Sequence, residues 1–551
     1  AQSRTDPQAR VDTLFSSRYD AQGAGLALGV YRNGALAYAQ GYGLADLEHG
    51  APITPTTQFA VASLSKQFTA YSILLLERDG KLDLDDDVRR HLPWVPDFGQ
   101  VITLRQLIHH TSGLRDQWSL FWLAGKDGSR QSEVISLLSR QRALNFAPGS
   151  EHVYNNSGYT LLAEVVKQVS GMSLRSFAQQ RIFAPLGMAR TFFHDDLNEI
   201  VPGRANSYCR DLSYCKDDRG TWFLDPNASE IVGATNLMST VEDQVRWIGY
   251  LTHPGDKDRA LIDRYLAMGT LDDGTPINYG FGLLRGKADG RNVILHTGQD
   301  AGFNTVMMLF PDDDFGVSVL ANHYTNTIAD AEAVARIFLA DAPRRTQPGD
   351  VARAAVPRRA SSRDAAALAA LEGTYQGPGS AMLMFERMPD GGIGLKKRVD
   401  GTPSAITLRQ DGSVDLGDEA RAAGGYYRLQ RDAAGRLVAI RAGIAGAKGR
   451  AFEYRRVATT AMAPGGWQEL LGDYRSPELD ITYTVSLENG VARLKSMWSL
   501  SPIALKPAHA DVLQGSRYFD HLRVERDAQG RVAALLVSNF VDRDIRFERV
   551  K

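Results

Sequence analysis

Val61-Ala62-Ser63-Leu64-Ser65-Lys66-Gln67-Phe68 is the stretch on which the reading of this chain turns. It opens a predicted helix that runs to about Asp79 and is apolar on nearly every side, through Phe68, Tyr71, Ile73, Leu74, Leu75 and Leu76. A helix apolar all round is a buried one. Arg78-Asp79-Gly80 closes it, with Gly80 as C-cap. Ser63 and Lys66 stand three residues apart, a spacing that puts both on one helix face with Cβ atoms about 5–6 Å apart. A hydroxyl and an amine then meet at a helix N-terminus, where free N–H groups and the dipole favour negative charge. Those are the needs of a serine nucleophile. Ser-x-x-Lys alone arises by chance about once or twice in a chain this long, so its weight depends on partners elsewhere.

The chain has 551 residues, enough for two to four domains. A net charge of −1 gives no electrostatic case for nucleic acid or an anionic membrane. No apolar run reaches the roughly 18 residues of a membrane span. The polar start Ala1-Gln-Ser-Arg carries no signal peptide; the expectation is a periplasmic or secreted protein whose signal has been removed. Cys209 and Cys215 are the two cysteines, six apart, and suggest a small-loop disulfide in an oxidising compartment. Two cysteines cannot close a four-ligand zinc site, and no His-Glu-x-x-His run is present, so neither metal nor cofactor is expected.

Asp6 to Tyr19 reads as an amphipathic helix. Gly25–Tyr31 and Ala35–Gly41 read as strands joined by Asn33-Gly34, a type I′ hairpin signal. Helices are predicted over Leu104–His109, Val134–Leu144, Gly158–Val169 and Asn236–Leu251. Strands follow at Asn278–Leu284, Asn292–His296, Asn304–Leu309 and Val317–Ala321, then a helix over Ile328–Leu339. Strands at both ends with helices between predict one antiparallel sheet flanked by helices, an α+β domain spanning residues 1–340. Residues 341–367, rich in Pro, Arg and Ser, read as a linker. Beyond it three segments recur about 95 residues apart: Leu371–Tyr375 as Leu470–Tyr474, Arg431–Ile440 as Arg526–Leu535, and Phe452–Val457 as Ile545–Val550. This is a duplication, predicting two small antiparallel β-barrel domains at 368–459 and 465–551, each with Asp-Ala-x-Gly-Arg as a hairpin turn.

Two stretches stand beside Ser63. In Tyr154-Asn155-Asn156-Ser157-Gly158, Tyr154 and Asn156 sit on a loop before a helix and can both face a cleft. In Val293-Ile294-Leu295-His296-Thr297-Gly298-Gln299, an apolar strand is expected to end at His-Thr-Gly, with Gly298 allowing close approach of a ligand.

Ser63-x-x-Lys66, Tyr154-x-Asn156 and His296-Thr297-Gly298, in that order, resemble the three-motif active site of the penicillin-recognising serine hydrolases: class C β-lactamases, D-alanyl-D-alanine carboxypeptidases, related esterases and D-aminopeptidases. The resemblance covers about residues 6–340. His110-Thr-Ser-Gly-Leu114, Phe183-Ala-Pro-Leu-Gly-Met188, Leu237-Met-Ser-Thr240 and Tyr279-Gly-Phe-Gly282 also match. Ser65–Thr69, Ser112–Trp118 and the two barrels look most like the D-aminopeptidases.

The resemblance implies a β-lactamase/transpeptidase-like fold and an acyl-enzyme on Ser63. Tyr154, its proton affinity lowered by Lys66, is the preferred base and Lys66 the rival. Ser63 and Gln299 N–H groups would form the oxyanion hole, and Asn156 would bind the substrate's amide oxygen. His296 stands where lysine is usual. A mostly neutral side chain there argues against substrates with a free C-terminal carboxylate and for amides, esters, or peptides cut from the amino end. Asp116, Glu151 and Asp300 are alternatives for a substrate ammonium, as is a loop of a C-terminal barrel. The expected function is an aminopeptidase or amidase favouring D-residues. An esterase or weak β-lactamase, and a non-catalytic binding or scaffold protein, are the alternatives. A homo-oligomer is left open.

Overall fold

The computed structural model describes residues 6–342 apart from 127, 213, 214, 216, 218 and 341, and most of 368–550; undescribed there are chiefly 397–402, 409–412, 416–424, 445–451, 458–465 and 497–501. The expected linker therefore lies outside the described residues, Ala342 excepted.

Asn33 and Gly34 both take positive φ (50° and 83°), as a type I′ turn requires, and join Leu26–Arg32 to Ala35–Tyr42. Leu26–Arg32 then pairs with Phe315–Ala321, so both ends of this region build one eight-stranded antiparallel sheet. Its order is Met268–Thr270, Pro276–Gly280, Leu284–Ala288, Arg291–Asp300, Phe303–Phe310, Phe315–Ala321, Leu26–Arg32, Ala35–Tyr42. One face is covered by the helices Pro7–Arg18 and Thr327–Phe338, through Val11, Phe15, Val334 and Phe338. The other carries the helical region around Ser65–Arg78. Twelve of that helix's fourteen residues are buried, and burial of Phe68, Ile73 or Leu74 contributes about 1.5–3 kcal/mol each. Gln67 is buried with them; its Oε1 accepts from Trp247 Nε1 (3.0 Å) and its carbonyl from the Tyr265 hydroxyl (3.1 Å).

Several predicted elements differ from the structure. The helix expected over Val134–Leu144 is Gln131–Leu138. It stops because Glu478 of the second barrel takes over: its carbonyl accepts from Arg140 Nε (3.2 Å) and its Oε1 from the Arg142 N–H (3.0 Å). The helix expected from Asn236 begins at Val241, capped by Thr240 Oγ1, because Leu237–Ser239 is a strand between Phe59–Ala60 and Phe192–Phe193. The expected strand Asn278–Leu284 is two strands, broken at Phe281-Gly282. No helix among the described residues is long and apolar enough to cross a membrane.

The α+β region is followed by two small antiparallel β-barrels, each from a nine-stranded sheet of identical strand order. The repeat holds in detail. Arg456 lies 5.9 Å from the centre of the buried Tyr375 ring, and Arg549 lies 5.9 Å from that of Tyr474. In the second copy Asp527-Ala-Gln-Gly-Arg531 falls between paired strands; in the first, positions 435 and 436 of the turn lie outside the described residues. The second barrel shares a hydrophobic core with the α+β region: Tyr474, Tyr483 and Phe547 belong to the same buried cluster as Phe121 and Leu123, and the Tyr483 hydroxyl donates to Leu123 O (3.1 Å).

Candidate active site

Ser63 lies on a tight single turn, Ala62–Leu64, directly before the Ser65–Arg78 helix. Ala62 adopts φ +51°, a left-handed conformation that costs a non-glycine residue about 1–2 kcal/mol. Surrounding bonds hold it. The Ser65 hydroxyl donates to Ala62 O (2.5 Å) and accepts from Leu237 N (3.0 Å), and Thr305 Oγ1 donates to Val61 O (2.9 Å). Two glycines let neighbouring backbone reach this turn. A Cβ on Gly298 would meet Val61 O at 2.3 Å, and one on Gly282 would meet Gln67 N at 2.7 Å. The close approach expected of a ligand at Gly298 is thus made by the turn that carries Ser63.

Lys66 is fully buried, and its Nζ touches three oxygens: Ser63 Oγ (3.0 Å), Asn156 Oδ1 (2.9 Å) and Ala234 O (2.8 Å). Burial lowers its pKa to about 7, against the opposing pull of Asp116 and Asp300. A neutral amine has two N–H donors and one lone pair. The two carbonyl oxygens can only accept, so they use both donors and leave the lone pair for the Ser63 hydroxyl proton. The pair is arranged for proton removal from Ser63.

Asn156 opens the helix Asn156–Ser170, which Asn155 caps. Its Nδ2 and its backbone N–H both donate to Asp116 Oδ2 (2.9 and 2.6 Å). Asp116 in turn caps the helix Gln117–Leu123 by accepting from Trp118 N (3.0 Å). Tyr154 hydrogen-bonds Ser63, and Lys66 Nζ lies 4.8 Å from its ring centre. Burial holds the phenol well above its usual range. The expectation of a Tyr154 with lowered proton affinity is corrected: desolvation outweighs its hydrogen bond to Ser63, and the phenol keeps its proton.

His296 is buried within the strand Arg291–Asp300, which runs past it rather than ending there. Its Nδ1 lies 2.6 Å from Thr297 O, an acceptor only, so Nδ1 carries the proton and Nε2 accepts from the Tyr279 hydroxyl (3.1 Å). Burial and the charge of Lys66 lower its pKa to about 3. His296 is neutral and adds no cation. It belongs to an aromatic wall with Tyr154, Tyr279 and His110, in which the His110 ring centre is 4.4 Å from both tyrosines. Gln299 follows on the same strand and is exposed, Thr297 half-buried.

Two of the three candidate acids are occupied. Asp116 serves Asn156 and Trp118, and Glu151 is paired with Arg543 of the second barrel (2.8 Å). Asp300 is half-buried, with Oδ2 accepting from Thr235 Oγ1 (2.7 Å) and Asn227 Nδ2 (3.3 Å). Cys209, in the strand Tyr208–Cys209, forms a disulfide with Cys215. Ala234 O, the Asp116 carboxylate that holds Asn156, and the His110 and Tyr279 rings join the site without a local signal for these contacts. Their motifs were visible, but their contacts depend on the fold.

Comparison with known proteins agrees with this geometry. The sequence profile described as Beta-lactamase matches residues 11–342. A D-aminopeptidase of Gluconobacter oxydans is 29% identical over 322 residues, 57% of this chain, and the match spans only 58% of that relative. A D-aminopeptidase of Brucella canis is 26% identical over 546 residues, 96% of each chain. Among solved structures, SurE with D-Leu superposes with a TM-score of 0.54 at 26% identity, covering 82% of this chain and 99% of that one.

Proposed function

The chain belongs to the beta-lactamase family, and from that premise we propose that it is a serine hydrolase that cleaves amide bonds of D-amino-acid substrates from the amino end. The observation that carries the reading is the buried Lys66 amine 3.0 Å from Ser63 Oγ, with both of its N–H donors taken by carbonyl oxygens.

Ser63 Oγ gives its proton to Lys66 and attacks the substrate carbonyl. The Ser63 and Gln299 N–H groups receive the oxyanion, each contributing roughly 3–4 kcal/mol to the transition state. Tyr154, which keeps its proton, protonates the leaving nitrogen and regains a proton from Lys66. Water then attacks the acyl-enzyme, with Lys66 taking its proton and handing it to Ser63 Oγ as the acyl–oxygen bond breaks, which restores the resting enzyme. Asn156 holds Lys66 through Oδ1, and the second hydrogen on its Nδ2 is available for the substrate's amide oxygen.

A neutral His296 offers no charge to a C-terminal carboxylate, which supports attack from the amino end. Asp300, beside Gln299 and without an ion pair among the described residues, is the carboxylate proposed to receive the substrate ammonium. The D-preference rests on the relatives named D-aminopeptidase. The Cys209–Cys215 disulfide supports a periplasmic or secreted location.

D-alanine p-nitroanilide and its L-isomer, given to wild type and Ser63→Ala, test the reading. Turnover of the D-isomer by wild type alone is expected. Equal turnover of both isomers, or turnover by Ser63→Ala, contradicts it, and far faster turnover of p-nitrophenyl esters would make the protein an esterase.

A further inference from the structure

The second barrel reaches the active site through, among other contacts, the connection between the strands Val532–Ser538 and Ile545–Arg549, described at residues 539 and 541–544. Asn539 Nδ2 donates to Ser119 Oγ (2.6 Å), and Arg543 N donates to Asn145 Oδ1 (2.8 Å). These bonds dock the loop. Asp542 does something further. Its side chain is fully buried, and its Oδ1 accepts from the backbone N–H of Asp116 (2.9 Å) and from Asn145 Nδ2 (3.1 Å).

The Asp116 N–H lies at a helix N-cap, outside the helix's own bonds, and a buried N–H without an acceptor is strongly disfavoured. Asp542 supplies that acceptor. From there the contacts run without interruption: Asp116 Oδ2 to Asn156, Asn156 Oδ1 to Lys66 Nζ, and Lys66 Nζ to Ser63 Oγ. Burying a carboxylate is costly. Burial and the nearby charge of Asp116 push the Asp542 carboxyl up to about 6. An apolar side chain would anchor a loop at less cost, but it could not hold the cap.

We propose that Asp542 is a positioning residue of the active site: by accepting the Asp116 N–H it fixes the carboxylate that orients Asn156, and so holds the Lys66 amine against Ser63. The site is thereby built from both ends of the chain. This rests on Ser63 and Lys66 being the acylating pair.

The test uses the full chain as wild type, Asp542→Ala and Asp542→Asn. The rate of Ser63 labelling by a fluorophosphonate, per mole of native protein, is read beside kcat and KM for D-alanine p-nitroanilide. Asparagine keeps Oδ1, so Asp542→Asn should stay within about threefold of wild type. Asp542→Ala should label Ser63 and turn over substrate about ten- to a hundredfold more slowly, the effect of a small misplacement in a preorganised site, with KM nearly unchanged. Wild-type rates in Asp542→Ala, or equal losses in both variants, overturn the proposal. So does an Asp542→Ala protein that cannot fold, which would make the residue a folding anchor. Absence of labelling at Ser63 in wild type is a different result and refutes the nucleophile assignment itself.

Discussion

Lys66 Nζ stands 3.0 Å from Ser63 Oγ with no exposure of the lysine to solvent. With its pKa lowered to about 7 by burial, the amine is substantially uncharged at neutral pH. The proposed proton transfer from Ser63 needs that form, so kcat/KM should rise through an acid limb centred near pH 7 and level off above it. A pH profile checks this. Lys66→Arg, which cannot lose its proton at any working pH, should be inactive while retaining the fold.

Asp300→Asn removes the carboxylate proposed to meet the substrate ammonium. A charge-assisted hydrogen bond is worth about 1.5–3 kcal/mol, so KM for D-alanine p-nitroanilide should rise about ten- to a hundredfold. An N-acetylated analogue, which carries no ammonium, should show no such change.

Gly298→Ala places a Cβ 2.3 Å from Val61 O and from Thr305 Oγ1. The strand must move away from the Ser63 turn or the turn must give. A loss of about 1–3 kcal/mol in unfolding free energy, the range for overpacking, is expected together with loss of turnover. Calorimetry and the substrate assay read the two effects separately.

His109, His110 and His296 are buried with pKa values lowered below the ordinary 6.5: to about 4 for His109, well below for His110, and to about 3 for His296, with desolvation the largest cause in each. The unfolded chain binds protons at these sites below pH 6.5 while the folded chain does not. Their contribution to stability is therefore full above pH 6.5 and is lost as pH falls toward 4. Each histidine adds a slope of up to about 1.4 kcal/mol per pH unit in that window. Unfolding by denaturant at pH 7.5, 6 and 5 should show this decline.

Much of the site was legible because its motifs carry their own chemistry. Ser63 and Lys66 are neighbours on one turn, and helical spacing places them. Asn33-Gly34 declares its hairpin, and the 95-residue repeat declares the two barrels. The local patterns misled where a partner from afar decided. The helix after Gln131 gave no sign that Glu478 would capture Arg140 and Arg142. Leu237–Ser239 has helical composition but is recruited as a strand by Phe59–Ala60. Tyr154 was expected to lose its proton readily beside Lys66, yet desolvation, which no motif encodes, raises its pKa. Asp116 and Asp542 are 426 residues apart, and nothing local to either announces their bond.

The most direct test of the central claim is intact-protein and peptide mass spectrometry after rapid mixing with a D-alanine ester. Ser63 as the nucleophile, with Lys66 as its base, predicts a transient D-alanyl adduct on the peptide containing Ser63, forming more slowly as pH falls below 7. An adduct on any other residue, or turnover of the ester by Ser63→Ala at the wild-type rate, would contradict it.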